Sequence, residues 1–299
     1  MRKGLVIVLR PAIAAALLLA LHSSQAGAVS SSSPQTQTVA PGKAIATYCP
    51  RALHRATRLI IVTVPNMSSV KATLHTFERR SPADASWLRA GPPEEAVVGA
   101  AGVGWSEDYD YLAKKDEPQK VEGDKRTPAG IFRVAGPFGF DTSKLSGYTK
   151  LAKDNSFCVA DPTSRYYGKI VGKGVAKYVK ASEDMSASPG LKRGMIVDYP
   201  ARRGAKAGSC VFIQIWEGET AGTNARIGMP EERLTVLQKW SAQGFTAIAI
   251  VSQDAASRFK GCLPINSATS SYEKPAGVPE PNPRREQTAP KEQRADISR

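Results

Sequence analysis

Four cysteines, Cys49, Cys158, Cys210 and Cys262, and three histidines, His22, His54 and His75, are the side chains best suited to attack a substrate, carry a proton or hold a metal. Their spacing narrows the chemistry. No C-x-x-C pair is present, which disfavours a zinc ribbon or a thioredoxin-type motif. His22 falls in an apolar leader, and His54 and His75 stand alone, so neither a metal site nor a resident cofactor is expected. His75 lies inside the strand-like Leu74-His75-Thr76-Phe77 and reads as structural, whereas His54 reads as solvated. Gly102 and Gly104, like Gly172 and Gly174, have no helix pattern after them, so phosphate cradles are not expected.

The compartment decides how the thiols are read. Arg2, Lys3 and Arg10 precede or flank the continuously apolar Ala12 to Leu21, and Ala26-Gly27-Ala28 follows. That pattern predicts a signal peptide over residues 1–28 and export to the periplasm or beyond the cell. No apolar run reaches the ~18 residues of a spanning helix, so the chain is not expected to span a membrane. In an oxidising compartment four cysteines form two disulfides, in any of three connectivities, with free structural thiols as the alternative. The formal charge of +14 favours anionic partners such as a cell-wall polymer. An aromatic content of 7% gives little stacking surface, which disfavours nucleic acid. Residues 29–56, rich in Ser, Thr, Gln and Pro, predict a flexible linker. Residues 267–299, with five prolines and few large apolar side chains, predict a disordered tail. The domain is expected over 57–266.

Within that span strands predominate. Leu59–Val64, Val70–Arg79, Met195–Val197, Val211–Trp216 and Phe245–Val251 are β-rich. In Val211–Trp216 the alternation puts Val211, Ile213 and Ile215 on one face and Phe212, Gln214 and Trp216 on the other, both mostly apolar, as in a central strand. One persuasive helix follows at Pro230–Gln243. Pro230 suits the first turn, Glu231 and Glu232 complement the dipole, and Leu234, Leu237 and Trp240 share a face. The fold class predicted is mainly β with one late helix. Paired bases such as Arg79-Arg80, Lys114-Lys115 and Arg202-Arg203 read as solvated loop charges.

Four segments resemble the L,D-transpeptidase (YkuD-like) catalytic domain family. Val121-Glu-Gly-Asp-Lys-Arg-Thr-Pro-Ala-Gly-Ile-Phe132 is similar to its G-D-x-x-T-P-x-G-x-F segment. Cys158-Val-Ala-Asp-Pro-Thr-Ser-Arg-Tyr-Tyr167 is similar to the C-V-D-D-P-x-S-x-Y-Y of a secreted branch. Gly208-Ser-Cys-Val-Phe-Ile-Gln-Ile-Trp216 resembles the strand G-S-x-x-F-x-H-x-W. Thr220-Ala-Gly222 and Ile227-Gly-Met-Pro-Glu-Glu232 resemble the turn and helix T-A-G-C-x-x-M-x-E-E. The resemblance implies a β-sandwich-like fold of mixed sheets and a cleft for peptidoglycan stem peptides, touched by Gly123, Asp124, Thr127, Pro128 and Trp216. It also implies a Cys158–Cys210 disulfide, which leaves Cys49–Cys262 by elimination.

The family's chemistry needs a thiolate and a histidine base, because a thiol with a pKa of about 8.5 is mostly protonated at neutral pH. Both fail to carry over. Gln214 stands at the base position, and an amide accepts no proton. After Thr-Ala-Gly comes Thr223, followed by an apparent insertion, Asn224-Ala-Arg226; aligned from the helix side, Arg226 stands there instead. Cys210, four residues and ~13 Å along the strand from Gln214, is too far away to substitute. The expectation is a degenerate transpeptidase-like protein that acts by binding stem peptides or wall polymer. The alternative is an active transpeptidase or hydrolase with a replaced nucleophile such as Thr223, which would need a general base.

Overall fold

Runs of β-branched and apolar residues bounded by Pro, Gly and Asn build most of this protein, and the order in which they pair sets where the polar side chains meet. A computed structural model describes residues 48–202, 204 and 207–265. The signal-peptide and tail expectations, and the linker expectation up to residue 47, concern residues outside those described. In chain order the elements are α1 (Arg51–His54), β1 (Arg58–Val64), β2 (Lys71–Glu78), β3 (Leu88–Arg89), β4 (Glu94–Val97), β5 (Val103–Trp105), β6 (Thr127–Gly139), β7 (Thr149–Lys150), β8 (Phe157–Val159) and β9 (Ile170–Val171). There follow α2 (Lys173–Ala176), β10 (Ser182–Asp184), β11 (Arg193–Asp198), β12 (Phe212–Ile215), β13 (Ile227–Met229), α3 (Glu231–Ser241) and β14 (Thr246–Ser252).

Eight strands form a closed ring in the order β1-β14-β6-β11-β12-β13-β4-β2, and β2 pairs back onto β1. Pairing is mixed: β1/β14 and β12/β13 are parallel, and the other ring contacts are antiparallel. The mainly β class with mixed sheets is therefore what the structure has, and the layers of the expected sandwich are joined along both edges. Closure removes the exposed sheet edges that an open sandwich would have to protect. All seven residues of β14 are buried, which explains why Thr246–Ser252 reads as a nearly continuous apolar run.

β6 is the longest strand and has no counterpart among the strands expected from sequence. Its sequence, TPAGIFRVAGPFG, carries two prolines and three glycines, which read as turn chemistry. Gly130 is there because space is short: a Cβ would lie 2.4 Å from the Tyr109 ring. The Tyr109 hydroxyl donates to the Ile131 carbonyl at 2.7 Å, and burial raises its pKa above the usual tyrosine range.

A second sheet of three short strands, β10-β8-β9, flanks the ring. Between them is a small core of Phe138, Leu151, Cys158, Met185, Leu191, Cys210 and Phe212. The Cys158–Cys210 disulfide passes through this core, and Cys49–Cys262 fastens the two ends of the described fold. Residues 49–56, expected in the flexible linker, are part of the domain. Leu53 is fully buried in the main core, and the Arg79 guanidinium donates to the carbonyls of Leu53 (2.6 Å) and Ala56 (2.7 Å). Arg79 is thus a buried strap over the end of α1 and not a solvated loop charge. His54 is likewise half-buried, its Nε2 2.8 Å from the Cys49 carbonyl.

Candidate functional site

The site is built on β12, whose pleat sorts its side chains between two cores. Ile213 and Ile215 pack toward the main core, and Phe212 toward the smaller one. Gln214, two residues from Phe212, projects on that second side. In register, Gln214 lies opposite Gly194 of β11 and Gly228 of β13, two positions without a Cβ. At Gly228 a Cβ would stand 3.0 Å from the Trp216 Cβ and 3.1 Å from the Thr223 Cγ2. The absent side chain is what lets Trp216 and Thr223 approach one another across β13.

The turn before β13 closes on itself through Thr223. Its hydroxyl accepts from the Arg226 N–H at 2.8 Å and donates to the Arg226 carbonyl. That same carbonyl also accepts from the Thr127 hydroxyl at 2.9 Å, and Thr127 Oγ1 accepts from the Gly99 N–H at 2.8 Å. Thr127 has no exposed surface and Thr223 is 8% exposed. A hydroxyl whose proton is already committed, with no imidazole beside it, is a poor nucleophile.

Arg226 occupies the space between these groups. Its side chain is 5% exposed, and its guanidinium forms a two-pronged pair with Glu183 of β10, one prong at 3.2 Å. Nε donates to the Cys210 carbonyl at 3.1 Å, and Nη1 also reaches Gln214 Oε1 at 3.4 Å. The cation lies over the Phe212 ring, 5.2 Å from its centroid. Gln214 completes its amide pairing by donating through Nε2 to the Ile215 carbonyl at 3.3 Å. The neighbouring carboxylate, Glu183, is therefore held by a guanidinium, and Ser188 Oγ donates to it at 3.0 Å.

The structure brings together Gln214, Thr223, Arg226, Thr127 and Trp216, and separates them from Gly123 and Asp124. Gly123 sits in an exposed turn at φ 81°. Asp124 accepts from Lys120 Nζ at 2.6 Å, from the Arg126 N–H and from the Val121 N–H, so it both closes its own turn and neutralises a lysine whose side chain is 1% exposed. Pro128 is buried in β6, in register with Gly104. Beside Lys120, the Gly208 N–H donates to Tyr167 Oη at 3.1 Å, and Tyr167 donates to Glu122. Burial first, then that carboxylate, pushes the Tyr167 phenol above its ordinary range. This second cluster joins three of the four segments that carry the resemblance.

Neither remaining histidine enters the site. His75 Nδ1 lies 2.9 Å from Arg89, and burial followed by the Arg89 charge lowers its pKa. All four cysteines are in disulfides, so no thiol is left in the chain. Among the described residues no group of three or more His, Cys, Asp or Glu is placed to hold a metal, and no helix is long and apolar enough to cross a membrane. Glu183 had no signal in the sequence, since Ser182-Glu-Asp184 reads as an ordinary polar loop. A cleft of about 480 Å³ is lined by Tyr167, Ile196, Tyr199, Arg202 and Phe212, and Arg226, Gln214, Thr223 and Trp216 are not in its lining.

No family model matches this chain, and no curated protein matches it. Among the solved structures similar to it in part are two of the helical cell shape determining protein Pgp2 from Campylobacter jejuni. The first is 11% identical with a TM-score of 0.32, over 66% of this chain and 48% of that one. The second, the K307A mutant, is 11% identical with a TM-score of 0.32, over 71% of this chain and 62% of that one. The chain thus spans between about half and three-fifths of the length of these neighbours, and a likeness of that extent assigns no family.

Proposed function

We propose that this protein is an exported, L,D-transpeptidase-like domain of the cell wall that binds peptidoglycan stem peptides and does not transfer them. The observation that carries this reading is the network at Thr223 and Arg226. In the residue-by-residue correspondence the nucleophile's place falls to Thr223 or Arg226 and the base's to Gln214. The first is a hydroxyl spent on its own turn, the second a guanidinium paired with Glu183, and the third an amide. With every cysteine in a disulfide, no thiolate can be recruited from elsewhere. What the site retains is a cation, an amide and the half-buried Trp216, which are groups that bind. Binding groups need not vanish with the nucleophile.

Two disulfides fit an oxidising compartment, and the charge of 14 − 3 = +11 left once Arg2, Lys3 and Arg10 are removed with the signal peptide fits a wall rich in anionic polymer. The test is a calorimetric titration of the purified protein with a stem tetrapeptide, with intact mass recorded after exposure to a carbapenem. Binding in the ~micromolar to millimolar range with no mass gain is expected. A covalent adduct would refute the reading.

A further inference from the structure

The geometry points to Glu183 as an internal stand-in for a ligand carboxylate: it occupies the Arg226 guanidinium until the C-terminal carboxylate of a bound peptide replaces it. This rests on the binding role proposed above and names the group that Arg226 would take.

Three observations carry the inference. The first is preorganisation of Arg226. Nε is fixed on the Cys210 carbonyl, the cation rests on Phe212, and the backbone is locked by Thr223 and Thr127. None of these contacts depends on Glu183. If Glu183 withdraws, the Nη1 and Nη2 fork stays aimed at the same place, matched to a planar carboxylate.

The second is the asymmetry of burial. The Arg226 side chain is 5% exposed and that of Glu183 is 30% exposed. Solvent therefore reaches the pair from the carboxylate side, which is the side from which a second carboxylate would enter.

The third is the element that carries Glu183. β10 is three residues long, pairs only with β8 and belongs to the small sheet, whereas Arg226 belongs to the ring. A three-residue edge strand offers little resistance to local opening. Gly190 lets the following turn come close to Gln214; a Cβ there would stand 2.7 Å from Gln214 Nε2. Both β10, through Glu183, and the turn that follows it therefore touch the site.

The consequence is quantitative. A ligand that needs the fork free binds with its intrinsic affinity reduced by the fraction of molecules in which Glu183 has let go. Were that fraction ~10%, removing the glutamate charge would tighten carboxylate binding ~tenfold. Ligands without a carboxylate would gain nothing.

The test compares a stem tetrapeptide ending in a free carboxylate with the same peptide ending in a carboxamide. Each is titrated into the full-length protein and into Glu183→Gln, with melting curves to confirm that both are folded. The expected result is ~tenfold tighter binding of the free acid by Glu183→Gln, with the carboxamide unchanged, and loss of that gain when Arg226→Lys is added. Binding by both proteins with no difference between acid and amide, or with no gain from Glu183→Gln, overturns the stand-in and leaves the binding function intact. Absence of binding by either protein removes both.

Discussion

At Arg226 one residue does what would otherwise take several groups: its guanidinium pairs with Glu183 of the small sheet and holds the Cys210 carbonyl, and its backbone carbonyl takes the Thr223 hydroxyl proton. Thr127 supports this from below, bridging the Gly99 N–H and the Arg226 carbonyl with a hydroxyl that has no solvent contact. Replacing Thr127 by Val keeps the shape, strands the Gly99 N–H and leaves the Arg226 carbonyl with Thr223 as its remaining donor. Urea unfolding should show a loss of about 1–3 kcal/mol with an unchanged slope. Glu117 offers a pH test. Hydrogen bonds from Arg258 first, with support from Trp105 and the Lys114 N–H, hold its pKa down from 4.5 to about 2. Its folded pKa is depressed, so its contribution to stability is full above 4.5 and is lost as pH falls toward about 2. The melting temperature should drop across that window, and Glu117→Gln should lower it at neutral pH while flattening the drop. Thr223, Gln214 and Arg226 were legible as the positions to examine, because their motifs keep their order. The partner Glu183 was not, since a carboxylate in a short polar segment gives no sign of the sheet that will carry it across.

Among the elements, the strands with clear alternation or apolar runs, and the amphipathic α3, followed from hydrophobic pattern alone. α3 spans Glu231–Ser241 with Leu234 and Leu237 buried, as its spacing requires. Gln238 on the same helix is buried too, donating to the carbonyls of Phe138 and Gly194, which pattern reading passes over because a glutamine defaults to the solvent side. β6 escaped for a physical reason: in a closed ring a long strand must bend, and its glycines and prolines serve curvature and close approach while mimicking turns. The small sheet is the element most dependent on covalent support, since its strands are two or three residues long. Changing Cys158 and Cys210 together to Ser should cost about 3–4 kcal/mol for a closed loop of this length. Because β10 carries Glu183, the double variant should also loosen the Arg226 pair, read as faster amide exchange in residues 182–184.

The molecule as a whole is a disulfide-fastened β ring with a small flanking sheet, and the Arg226–Glu183 ion pair joins the two. Cys49–Cys262 joins the two ends of the described fold, and Cys158–Cys210 joins the small sheet to the ring. In the proposed binding role the net charge, +14 for the whole chain and 14 − 3 = +11 without Arg2, Lys3 and Arg10, would attract anionic polymer at long range and weaken with salt, while carboxylate recognition at Arg226, buried and short in range, should respond less. The measurement that bears most directly on the account is a product assay: stem tetrapeptides incubated with the purified full-length protein and resolved by chromatography and mass. The account predicts peptides recovered unchanged, with neither cross-linked nor shortened product. Turnover by the unmodified protein, abolished by Thr223→Ala, would contradict it and make Thr223 a nucleophile.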